Sequence, residues 1–81
     1  MEEQGIWTRA TEVFREILDD EDLEIKAETT AADVEGWDSL AHIQLMVALE
    51  EVFGIRISTG EMANLESVGQ LIQIIGRHLE E

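Results

Sequence analysis

Apolar positions fall into helical stripes separated by one long polar stretch. Ile6, Ala10, Val13, Phe14 and Ile17 follow at offsets of 4, 7, 8 and 11, the spacing of one helix face. Asp19, Asp20, Glu21 and Asp22 come next. Acids at a helix C-terminus oppose its dipole, so this helix is expected to stop near Leu18. A second helix is expected from Ser39 to about Phe53, with Asp38 as its N-cap and Gly54 just past its end. Ile55-Arg56-Ile57 is too short to read as a strand. Ser58-Thr59-Gly60-Glu61 has the pattern of a capping box opening a brief helix through Met62 and Leu65, and Ser67-Val68-Gly69-Gln70 repeats that pattern. Val68, Leu71, Ile72, Ile75 and Leu79 make the last stripe, with Arg77 and His78 in the final turn, where cations suit the dipole. Gly76 costs this helix about 1 kcal/mol relative to alanine, and the pattern gives no reason for it.

The expected fold is all-α: a small bundle of three main helices and one short one, spanning 1–81 as a single domain, with a long loop between the first two helices. A structureless connection from 19 to 38 would be unusual in a compact domain. Leu23, Ile25 and Val34 can pin it to the core, and Thr30-Ala31-Ala32-Asp33 can start a short turn.

The second helix has more apolar surface than one core face needs. Leu45, Met46, Leu49 and Phe53 suffice for packing, yet Leu40, Ile43 and Val47 form a second stripe. Either the helix is buried on both sides or the second stripe touches partners. The position of Leu40 and Ile43 beside Ser39 favours the partner reading.

Charge narrows the partners. Nineteen acidic residues against five basic ones give a net charge of −14. Nucleic acid and anionic membrane surfaces would repel such a chain, whereas proteins with basic patches would attract it. Self-repulsion predicts that thermal stability rises with salt or divalent cations. There is no cysteine, hence no disulfide or thiolate metal site. Met1-Glu2-Glu3-Gln4 has no signal-peptide character, and no apolar run approaches the ~18 residues of a membrane span, so a cytoplasmic location without membrane insertion is expected. An 81-residue chain also has little room for an enclosed active site.

Asp38-Ser39-Leu40, followed by Leu45, Leu49-Glu50-Glu51, Phe53 and Ile57, resembles the acyl carrier proteins, and Asp33-Val34-Glu35-Gly36-Trp37-Asp38-Ser39-Leu40 resembles their loop-to-helix junction. The tripeptide alone is common; the combined spacing from Asp38 to Leu71 carries the likeness, which covers nearly the whole chain. The resemblance implies a carrier and not an enzyme. Ser39 would bear 4′-phosphopantetheine, transferred from coenzyme A by a phosphopantetheinyl transferase, and the arm's thiol would hold an acyl group as a thioester. Asp38 and Leu40 would frame the serine for the transferase. Leu40, Ile43, Val47, Glu50 and Glu51 would face acyl-loading and acyl-processing enzymes with basic patches. Met46, Leu49, Leu71, Ile72 and Ile75 would line a space between helices into which acyl chains slide. The protein is expected to be a monomer.

Local physics agrees with the role of Ser39. The first position of a helix offers unpaired backbone N–H groups and the positive end of the dipole to an added phosphodiester. Ala41, His42 and Gln44 depart from the acidic or hydroxyl-bearing residues common at these places in fatty-acid carriers. A specialised carrier, in polyketide or related synthesis, is therefore at least as well matched. A carrier of aminoacyl or peptidyl groups and an unmodified acidic adapter are the alternatives.

Ser39 and His42, three apart on one helix, could suggest a nucleophile and base, but no orienting third group and no G-x-S-x-G elbow accompany them. His42 is better read as packing on Trp37 across the helix start, or as lying in solvent beside the arm. Trp37 and Trp7 read first as packing residues. The acids from Asp19 to Glu24 lack the glycine and terminal glutamate of a calcium loop.

Overall fold

The computed structural model describes residues 2–80. Four helices run in the order α1 (Glu3–Ile17), α2 (Ser39–Phe53), α3 (Thr59–Ala63) and α4 (Val68–Glu80), with one 3-10 turn at Ala31–Asp33, and no strand occurs among the described residues. The fold is thus the all-helical bundle expected. Helix α1 packs on both α2 and α4. The apolar stripes meet in one core, centred on Phe14, Leu45, Met46, Leu49, Leu71 and Ile75, each essentially inaccessible to water.

Helix ends follow the capping chemistry. At the end of α1, Asp19 takes the left-handed conformation (φ 52°), the Asp20 N–H donates to Arg15 O and the Asp19 N–H to Glu16 O, the two bonds of a Schellman ending. Gly54 ends α2 in the left-handed conformation too, with φ 66° and both its own N–H and that of Ile55 on Glu50 O. The Ser58–Glu61 capping box is complete in both directions, 3.1 and 3.0 Å. The second expected box is only half made. Ser67 Oγ accepts from the Gln70 N–H at 3.3 Å, but Gln70 Oε1 turns to the Glu66 N–H at 2.7 Å instead of that of Ser67.

The first amides of α4 find their acceptors in the long loop. Val68 N–H donates to Thr29 O (2.8 Å) and Gly69 N–H to Ala27 O (2.9 Å). Helix starts leave such donors unsatisfied, and here a distant strap of backbone accepts them. The approach is so close that a Cβ on Gly69 would lie 2.8 Å from the Ala27 carbonyl oxygen. Ile25 is buried in the core and Leu23 packs partly buried against it, so these two pin the loop as expected, whereas Val34 is buried outside that core. Arg15 Nε–H adds a bond to Leu23 O at 2.7 Å. The loop is therefore ordered, and it delivers residues 34–38 to the start of α2.

Candidate functional site

Ser39 stands exposed at the first position of α2. Its placement is fixed from behind. Gly36 turns the chain with φ 87°, and Asp38 adopts extended backbone and accepts from the Ala41 N–H through its carboxylate at 2.8 Å. Asp38 O takes the His42 N–H at 2.9 Å, the first full helical bond. The hydroxyl opens onto a groove of about 470 Å³ lined by Ala31, Trp37, Asp38, Ser39, His42 and Ile43.

The groove wall is built by an aromatic pair. Trp37 lies edge-on to Phe14 (ring centroids 5.1 Å, 82°) and stacks on His42 (6.0 Å, 21°). Trp37 Nε1–H donates to His42 Nδ1 at 3.1 Å. An indole N–H can only donate, so Nδ1 is the unprotonated nitrogen; Nε2 carries the proton and donates to Met62 O at 3.0 Å, tying α2 to α3. His42 therefore packs on Trp37, as one of the two sequence readings had it. With its Nδ1 lone pair engaged by Trp37, it has none to offer as a base to Ser39.

The second apolar stripe of α2 is exposed: Leu40 by 65%, Ile43 by 58% and Val47 by 47%. At 100° per residue Glu51 continues this face and is exposed. Glu50 departs from the expected surface role. It is half-buried, and its Oε2 accepts from the Ile57 N–H at 2.8 Å, so it first serves to hold the link after α2. Val52 is also exposed, away from the stripe, where the helical pattern marks no functional face. Met46, Leu49, Leu71, Ile72 and Ile75 are all buried where α2 and α4 enter the core.

A second polar contact joins α3 to α4. His78 Nε2 lies 3.1 Å from Glu61 Oε1. The Ser58 backbone N–H, and after it His78, hold the Glu61 carboxyl below the usual carboxylate range.

The site is thus a serine exposed at the Asp38-capped start of α2, beside an open groove, on an acidic helical bundle. Comparison with known proteins identifies the family. Residues 9–75 match the family model described as a phosphopantetheine attachment site. The chain is 33% identical over 76 residues to an acyl carrier protein of Clostridium acetobutylicum, covering 94% of this chain and 99% of that one. It is 31% identical over 75 residues to an acyl carrier protein of Acidothermus cellulolyticus, covering 93% and 89%. The solution structure of the holo acyl carrier protein from Geobacter metallireducens superposes with a TM-score of 0.86 at 35% identity, covering 91% of this chain and 85% of that one. The chain belongs to the acyl carrier proteins, the carriers that hold phosphopantetheine as their prosthetic group. It is thus a carrier and not an enzyme, and its family works with phosphopantetheinyl transferases and acyl-processing enzymes. No helix among the described residues is long and apolar enough to cross a membrane.

Proposed function

We propose that Ser39 bears the phosphopantetheine arm and that the chain, acting as one domain and a monomer in the cytoplasm, presents acyl groups to a dedicated set of partner enzymes. The observation that carries this reading is the exposed Ser39 hydroxyl at the start of α2, held by the Asp38 cap and facing an open groove. The group fits this position. A phosphodiester on Ser39 would meet the positive end of the α2 dipole, and a flexible arm could lie along the apolar wall of Trp37 and Ile43. When bound, the arm supplies a thiol that carries the acyl group as a thioester. Asp38 fixes the helix start, and Leu40 stands exposed beside the serine for the transferase.

The partner face in this reading is Leu40, Ile43 and Val47, with Glu51 as its main charge and Glu50 contributing only its second carboxylate oxygen. Basic patches on partners would be steered to it by the net charge of −14. The pathway is fatty-acid, polyketide or related specialised synthesis, a specialised carrier being at least as well matched as a general fatty-acid carrier. The support is that Ala41, His42 and Gln44 depart from the acidic or hydroxyl-bearing residues common at these places in fatty-acid carriers.

The test is intact mass after incubation with coenzyme A, magnesium and a broad-specificity phosphopantetheinyl transferase. The wild type should gain one phosphopantetheine and Ser39→Ala none. A folded wild type that gains nothing, while a control carrier is modified, refutes the reading and favours an adapter that binds partners without covalent modification.

A further inference from the structure

Ala31, Trp37 and His42 line two neighbouring spaces at once. The outer is the groove beside Ser39. The inner, about 30 Å³, reaches Leu65, Ser67 and Leu71 and has room for about one water molecule. Behind it Met46, Leu49 and Ile75 are packed without exposure. A chain of methylenes leaving the groove for the core would have to pass the Trp37–His42 pair. That pair is held on several sides at once: by Phe14 against the indole edge, by the ring stack, by the Trp37–His42 hydrogen bond and by the bond from His42 to Met62 O on α3. Moving either ring breaks the stack and the hydrogen bond between them, together with the Phe14 contact if Trp37 moves or the Met62 bond if His42 does.

We propose that Trp37 and His42 are specificity-determining residues, a latch that keeps the acyl group in the outer groove and so selects short-chain over long-chain cargo. The inference rests on Ser39 bearing the arm. A groove of about 470 Å³ shared with the arm shelters only a few carbons. A longer chain held outside forgoes the stabilisation that burial of each methylene in the core would contribute, so its outer carbons lack the shelter a short chain finds in the groove. The latch therefore biases the carrier without any residue recognising the acyl group by hydrogen bonds.

The experiment uses the full chain with its arm, checked by intact mass and loaded with butyryl or octanoyl groups. It reads methyl and indole nuclear magnetic resonance signals and the rate of thioester cleavage by hydroxylamine. In the wild type, butyryl should shift the Trp37 indole and Ile43 signals, and octanoyl should leave the Met46 and Leu71 methyls where they were. In His42→Ala, octanoyl should shift those core methyls and be cleaved about tenfold more slowly than on the wild type, the protection expected if some two methylenes' worth of chain becomes buried. Trp37→Phe keeps a ring against Phe14 but loses the N–H, and should fall between the two. Core methyls of the wild type that move with octanoyl as far as those of His42→Ala overturn the latch, as do equal cleavage rates in all three proteins. Should His42→Ala not fold, the wild-type series and Trp37→Phe decide the matter. Failure to gain the arm at all shows in the mass and overturns the attachment reading first, whereas a loaded wild type with a responding core overturns the latch alone.

Discussion

The two glycines of α4 should respond to alanine in opposite directions. At Gly76 an added Cβ would lie 3.7 Å from Ile6 Cδ1, an ordinary packing distance. Nothing around it requires glycine, so Gly76→Ala should recover the helix propensity, about 0.8–1 kcal/mol. At Gly69 the Cβ would lie 2.8 Å from Ala27 O and 3.1 Å from Ala27 Cα, both backbone atoms that cannot rotate away. To admit it the strap must withdraw, which threatens the bonds from Gly69 to Ala27 and from Val68 to Thr29. Two net hydrogen bonds at about 1 kcal/mol each, offset by at most about 1 kcal/mol of propensity, leave a loss of about 1 kcal/mol or more. In a domain of this size 1 kcal/mol moves the melting temperature by about 4–8 °C. Thermal melts followed by far-UV circular dichroism should therefore show Gly76→Ala above the wild type and Gly69→Ala below it. The sites lie seven residues apart, about 10 Å along the helix, so the double variant should be additive to within about 0.5 kcal/mol. A Gly69→Ala protein that melts at or above the wild type would refute the argument that the strap is rigidly seated.

Asp38→Ala should lower stability in urea by about 1 kcal/mol through loss of the bond to the Ala41 N–H, while Asp38→Asn, which can still accept that bond, should stay near the wild type. Loss of arm transfer in the asparagine variant would then reflect recognition and not folding. Because the folded Glu61 carboxyl is held below its ordinary value, its contribution is present above the unfolded carboxylate range and is lost as pH falls through the lowered folded value. Glu61→Gln should therefore be less stable than the wild type near neutrality and converge with it in acid; a constant gap across pH in denaturant titrations would contradict the assignment. With a net charge of −14, the melting temperature should rise with added salt or magnesium, and a flat dependence would show that self-repulsion is not limiting.

Much of this architecture was legible because it is local. The helix spacing, the Asp38 cap, the Gly54 ending and the Ser58 box each depend on residues within about a turn of one another. The exposure of Leu40, Ile43 and Val47 followed from a helix with one stripe too many. What escaped the sequence lies across the fold. The partner of His42 Nε2 is 20 residues away on α3, and that of Gly69 N–H is in a loop some 40 residues earlier, at Ala27. Glu50 looked like a surface acid because its acceptor role is owed to the path of residues 54–57. The half-made box at Ser67 depends on Gln70 Oε1 turning to the Glu66 N–H, a choice the four-residue pattern does not reveal. Glycine in the first turn of a helix was the one visible hint of that approach.

The commitment of both His42 nitrogens has a chemical consequence for a carrier. A phosphodiester is slow to hydrolyse because its negative charge repels nucleophiles, and a nearby general base is one of the few groups that can speed attack by water. An imidazole three residues after Ser39 would ordinarily be a hazard, ready to shorten the life of whatever the serine holds. Here one nitrogen accepts from the Trp37 indole and the other donates to Met62 O, so the ring is spent on architecture. With the arm on Ser39 as proposed, its phosphodiester would have no free imidazole base beside it, and its release would be left to the chemistry of a partner enzyme.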